Sequence, residues 1–144
     1  MKYIIARDGG VFLHLHDNVY QRYSDEYICK LNKQEIIRDI CGRKDIEDLL
    51  TKIEFIRTIK ANHKKLYQEF YEDEMSKYDE ESWVKVIKSE YIRNKMKKSY
   101  PFEKVFASRA KEYLYSEISI LMNISYEKVE KYIVDYIHEN SWDE

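Results

Sequence analysis

Glycine and proline are nearly missing from this chain: three glycines and one proline stand among 144 residues. That scarcity excludes a loop-rich or low-complexity architecture and favours long helices joined by few turns. Cysteine is scarce as well. Cys29 and Cys41 are the only two and form no C-x-x-C pattern, so neither a disulfide framework nor a zinc ribbon is encoded. No apolar run approaches the roughly 20 residues that span a bilayer. Lys2 is followed by only a short apolar stretch before Arg7 and Asp8, unlike a signal peptide. The expectation is a cytoplasmic protein with free thiols and no membrane contact.

Catalytic signatures are also missing. No nucleophile elbow, phosphate-binding loop or H-E-x-x-H spacing occurs. Gly9-Gly10 has the chemistry of a turn, not of a phosphate cradle. The neighbouring acids Glu80 and Glu81 sit at an expected helix start, where the helix dipole explains them without acid–base work. The chain therefore reads as non-enzymatic and free of cofactors.

What is present is charge, unevenly placed. From Glu69 to Glu81 there are seven acids and one lysine, net -6; from Trp83 to Lys111 there are nine basic residues and two acids, net +7. The total of -2 hides this asymmetry, which points to a polyanionic partner or, more simply, to a solvated helix face. Fourteen tyrosines suit the margins of a thin core, because the ring is buried while the hydroxyl reaches water.

Periodicity divides the chain. "KYII" reads as a strand, "RDGG" as a turn, and "VFLHLH" alternates with period two, Val11, Leu13 and Leu15 facing away from Phe12, His14 and His16. Asp17-Asn18 allows another turn and "EYICKL" a third strand. Residues 1–37 form a β-rich N-terminal region, with the antiparallel meander itself ending near Asn32. "KQEIIRDI" reads as a short helical or irregular piece. The second region, residues 38–144, has helical spacing. Ile46, Leu49, Leu50, Ile53, Ile56 and Ile59 mark a first helix, and residues 62–77 a second. Asp79 caps a third that carries Trp83, Val84, Ile87, Tyr91, Ile92 and Met96. Tyr100-Pro101 breaks it. A fourth begins at Glu103, and Ser125 caps a last one that frays into "ENSWDE". The expected fold is mainly α: a small antiparallel β meander followed by a compact bundle of about five helices.

Two clusters have chemical character. His14 and His16 would project from one face of a strand toward one ion, but no third ligand is visible, and an exposed sheet face is the simpler reading. The basic stretch is stronger. Arg93, Lys97 and Lys98 fall near a helix end, and Lys104 and Arg109 follow after the break, interleaved with Tyr100 and Phe102. Capping the helix dipole accounts for some of these cations. The whole set has the footprint of phosphate contacts with aromatic rings for sugar or base.

Four segments then carry a resemblance: "RDICGRKDIEDLLTKI" (Arg38–Ile53), "HKKLYQEFYEDEM" (His63–Met75), "WVKVIKSEYIRNKMKK" (Trp83–Lys98) and "EKVFASRAKEYLYSEISILMNISYEKVEKYI" (Glu103–Ile133). In that order they resemble the helical domain of the CarD-like family of bacterial transcription regulators, over about 100 residues from Arg38 to Ile137. The resemblance implies that the helical domain touches promoter DNA at the upstream edge of the transcription bubble, and that an N-terminal Tudor-like barrel docks on RNA polymerase. It implies a DNA-contacting lysine at Lys104 and a basic second helix at Lys64 and Lys65. With the charge pattern, the candidate DNA-binding residues are His63, Lys64, Lys65, Arg93, Lys97, Lys98, Lys104 and Arg109. The chain departs from the family at His63, where a tryptophan is common, and in "RDGGVFLHLHD", which replaces the usual Gly-Asp opening in a shorter N-terminal region. The alternative is a relative that binds another protein and no DNA.

Overall fold

A computed structural model of the chain describes residues 1–139. Strands come first and helices after them. The strands are β1 (Tyr3–Ala6), β2 (Gly10–His16), β3 (Val19–Arg22), β4 (Ile28–Lys30) and β5 (Ile36–Asp39), in one antiparallel sheet of order β4-β3-β2-β1-β5. Pairing of Ile5 with Val11 and of Ile4 with Phe12 sets the register. Period-two alternation then sends Ile5 and Val11 into the helical core, and Ile4, Ala6, Phe12, Tyr20 and Leu31 into a second cluster on the opposite face.

The sheet is larger than the expected meander. β3 fills a stretch that had no assignment, and "KQEIIRDI" is not helical. Asn32 caps a single 3₁₀ turn at Lys33–Glu35, its Oδ1 accepting from the Glu35 amide at 3.1 Å, and the chain then extends into β5. The cause is non-local. β5 gains its partner from β1 at the other end of the region, Ile5 opposite Arg38, and nothing within the segment announces that pairing. The boundary drawn after residue 37 lies inside β5, and the sheet shares its main core with the helices through Ile5 and Val11.

The helices are α1 (Arg43–Lys52), α2 (Lys64–Met75), α3 (Glu80–Lys95), α4 (Pro101–Met122) and α5 (Val129–Glu139). α4 is central and packs on each of the other four helices or their flanking turns as well as on β2. It buries Ala107, Ala110, Tyr113, Leu114 and Ile118 against Ile46, Leu50, Tyr71, Trp83 and Val86. None of the described helices is long and apolar enough to cross a membrane. The expectation for the tail beyond Glu139 lies outside the described residues.

α1 is shorter than its apolar spacing suggests. It ends at Lys52, tightens into a 3₁₀ turn at Ile53–Phe55 and leaves helical geometry at Ile56. Lys88 of α3 explains the stop: its ammonium donates to the carbonyl oxygens of Ile53 and Glu54 at 3.3 Å and of Ile56 at 2.9 Å. These are carbonyls that a helix end leaves without partners. Asp79 caps α3 as expected, accepting from the Ser82 amide at 2.7 Å. Pro101 is the first residue of α4, a position that needs no amide hydrogen. Asn123 closes α4 in the left-handed conformation, and Ser125 precedes a 3₁₀ turn that runs into α5.

Tyr113 fixes α4 to the sheet. Its hydroxyl donates to the Ala6 carbonyl at 2.6 Å and accepts from the Gly9 amide at 3.2 Å. Its ring stacks on Trp83, with centroids 4.9 Å apart. Gly10, the first residue of β2, has φ +95, and a Cβ there would collide with the Glu112 carboxylate. Gly10→Ala is expected to destabilise the protein by about 1–3 kcal/mol, read from the urea midpoint.

Candidate functional site

The candidate basic residues converge on one end of the helical bundle, where α2 begins, α3 ends and α4 begins. The convergence is built on a buried carboxylate. Glu103, in the first turn of α4, has no solvent exposure. Its Oε1 accepts from the hydroxyls of Tyr67 at 3.0 Å and Tyr71 at 2.9 Å, both on α2. Its Oε2 accepts from the Tyr100 amide at 2.6 Å and lies 3.7 Å from Nε of Arg93, near the end of α3. Burial pushes the Tyr71 hydroxyl far above its ordinary pKa, with Tyr67 and Glu103 adding to the shift, so it stays a donor. Three helices thus meet on one carboxyl group.

Arg93 belongs to this network. Its guanidinium lies 5.1 Å from the Tyr67 ring centre and 5.4 Å from that of Tyr100, and Nη2 donates to the Lys98 carbonyl at 2.9 Å. It is half-buried and holds the α3–α4 turn rather than facing outward. His63 is exposed but occupied: its Nδ1 accepts from the Leu66 amide at 3.4 Å and caps α2. It takes the place of a serine or aspartate cap.

Lys64, Lys65, Lys97, Lys98 and Lys104 are exposed. Among the described residues, none of the five has a carboxylate oxygen within 4.0 Å of its ammonium. Lys77 and Lys85, by contrast, both pair with Glu74, at 3.3 and 3.7 Å. Lys64 lies 5.0 Å from the Tyr100 ring centre, and Lys104 donates to Asn94 at 3.2 Å. These contacts tie the starts of α2 and α4 to the end of α3. Lys97 sits just past α3 with φ +58, a left-handed position where helices usually place glycine. Arg109 is farther along α4, over the Phe106 ring, and shares a shallow cleft with Lys104, Val105, Ser108 and Glu112.

The placement separates structural cations from spare ones. Arg93 and Lys95 lie in the last turn of α3, where the dipole favours them. Lys64 and Lys65 open α2, whose first turn has no acid, and Lys104 lies in the first turn of α4. A cation there faces the positive end of the helix, which is unfavourable by roughly 0.3–1 kcal/mol. Lysines and free amides together make such an end a strong site for anions.

The histidine pair does not converge on an ion. Nε2 of His14 lies 2.7 Å from the Asp17 carbonyl oxygen, and its ring packs against Tyr20, while His16 contacts the Asp17 carboxylate at 3.3 Å. The register shift between them spoils the common face that the alternation suggested.

Sequence reasoning missed a second buried carboxylate. Glu117, in the C-terminal half of α4, has no exposure. Its Oε2 accepts from the Cys41 amide at 3.1 Å and lies 3.6 Å from Nη1 of Arg38, whose Nη2 donates to Glu80 at 2.6 Å. Burial raises the Glu117 pKa to about 8; the Glu80 carboxylate adds to the rise, and the Cys41 amide and Arg38 oppose it. Burial likewise pushes the Cys41 thiol far up, with Glu117 and Glu80 adding to it. Cys41, Glu80 and Glu117 are the one group of ligand-type side chains found close together among the described residues. An odd glutamate on an otherwise apolar face of "YSEISIL" was the only sequence signal.

No known family model and no curated protein matches this chain. The site rests on its own geometry.

Tyr71→Phe removes one hydrogen bond to the buried Glu103 carboxylate and is expected to lower stability by about 1.5–3 kcal/mol. Equilibrium urea denaturation measures it. A loss below a few tenths would mean that Glu103 does not depend on that hydroxyl.

Proposed function

We propose that the chain is a non-enzymatic transcription regulator of the CarD-like kind that binds DNA at the end of its helical bundle. Lys64, Lys65, Lys97, Lys98 and Lys104 neutralise phosphates, and Arg109 extends the contact along α4. The observation that carries this reading is the set of five exposed lysines, without carboxylate partners among the described residues, around two helix N-termini. Three of them occupy first-turn positions that the helix dipole disfavours. Arg93 supports the surface from beneath, and His63 closes the α2 end. Such contacts supply affinity and register but little sequence specificity. The order of the chain, a five-stranded sheet ahead of a helical bundle, agrees with the arrangement that the family resemblance implies.

A second reading rests on a different surface. Edge strand β4 has Ile28 exposed at 56%, next to Tyr27 at 57%. An open edge with apolar side chains suits pairing with a strand of a partner protein. RNA polymerase is the partner that the resemblance implies. One stoichiometric protein partner recovered after nuclease treatment, without measurable DNA affinity, would favour the alternative of a protein-interaction module.

The decisive test is a titration of the protein into fluorescent fork DNA and plain duplex at several salt concentrations. The expected log–log slope is about -4 to -5, the value for about five phosphate contacts, with the fork preferred. Lys97→Gly is the informative variant. Glycine relieves the left-handed backbone, so stability holds or rises, by up to about 1 kcal/mol. DNA affinity falls and the salt slope shrinks by about 1. Charge reversal at Lys97, Lys98 and Lys104 together is expected to abolish binding; unchanged affinity in that variant sinks the DNA reading.

A further inference from the structure

We propose that Cys41, Glu80 and Glu117 form a binding site for a thiophilic divalent cation of the zinc class. The site is independent of the DNA-binding surface. Its ligands come from three separate places: the chain just past β5, the first turn of α3 and the C-terminal half of α4. One ligand atom from each lies within 4.8 Å of the other two. A tetrahedral centre with bonds of about 2.0–2.3 Å holds its ligands roughly 3.3–3.8 Å apart. A shift of about an ångström, within reach of side-chain rotation, closes the set.

The ion pair with Arg38 explains part of this cluster and leaves part of it unexplained. Arg38 engages Oε2 of both Glu80 and Glu117, and the Cys41 amide also donates to Oε2 of Glu117. Oε1 of Glu117 has no hydrogen-bond donor, although the side chain has no solvent exposure. A buried acceptor without a partner is unfavourable, and buried polar atoms rarely stay so. A cation bound by Glu117 and the neighbouring thiolate would satisfy it.

Charge supports the same assignment. Metal binding displaces the protons of Glu117 and Cys41; two carboxylates and a thiolate then carry three negative charges, and Arg38 returns one positive. A divalent ion neutralises the remaining two, so the buried cluster closes without net charge. The thiolate selects the class of metal: sulfur favours zinc-like ions, whereas calcium and magnesium prefer all-oxygen sites. Arg38 then serves as the outer partner that orients both carboxylates. Water completes the fourth position, since three protein ligands leave one open. The bound ion would staple the end of the sheet to α3 and α4.

Cobalt titration of the full-length, chelator-treated protein tests this. The expected result is a thiolate-to-cobalt charge-transfer band that saturates at one equivalent, is displaced by zinc, and accompanies a rise in thermal midpoint. Cys41→Ser is expected to lose the band and Cys29→Ser to keep it. Cobalt held at His14 and His16 would give no thiolate band. Loss of even an outer-shell partner lowers metal affinity about 10–100-fold, so Glu80→Gln is expected to weaken cobalt binding by at least about tenfold. Glu80 is a partly exposed side chain at a helix start, and circular dichroism checks that the variant folds. Absence of the band in the wild-type protein overturns the proposal, as does a band that survives in Cys41→Ser.

Discussion

The basic end of this molecule depends on one buried carboxylate. Glu103 brings α2 and α4 together and draws Arg93 in from α3, so the lysines around it share one surface although they are far apart in the chain. A buried carboxylate is tolerable only when donors surround it. Two tyrosine hydroxyls and one backbone amide meet that condition, and the Arg93 guanidinium, 3.7 Å away, supplies the opposite charge. Because Arg93 and Glu103 neutralise each other below the surface, the exposed lysines are left as a net positive field. Their mutual repulsion and their unfavourable positions at helix starts oppose folding mildly. The buried network and the aromatic stack of Tyr100 on Phe102, with centroids 5.4 Å apart, hold the end together against it.

A second polar joint does the same work between sheet and helices. Arg38 lies over the Trp83 ring at 5.6 Å and contacts both Glu80 and Glu117, while Tyr113 stacks on the same tryptophan and binds the turn between β1 and β2. Apolar packing through Ile5 and Val11 is non-directional. The hydrogen bonds and stacked rings are directional, and they fix how the sheet sits on α4. Both joints place a glutamate on the buried face of α4, fourteen residues apart, one serving each end of the molecule.

Local patterns were legible where the physics is local. The alternation in β2, the Asp79 cap and the break at the Tyr100-Pro101 step all depend on neighbours within a few residues, although α4 begins at Pro101 and not at Glu103 as its spacing suggested. The misreadings share the opposite property. β5 needed a distant partner strand, and α1 stopped early because Lys88 reached its carbonyls from α3. Arg93 looked like one more cation of the basic stretch until α2 and α4 enclosed it.

By itself the sequence determined the strands-then-helices order, the helical spacing of the core and the charge asymmetry, because each is carried by residue type and short spacing. Tertiary structure alone decided which cations face water, which carboxylates are buried, and that Cys41 meets Glu80 and Glu117. Burial and pairing between distant residues depend on how elements dock, and long-range docking leaves no periodic trace in the chain.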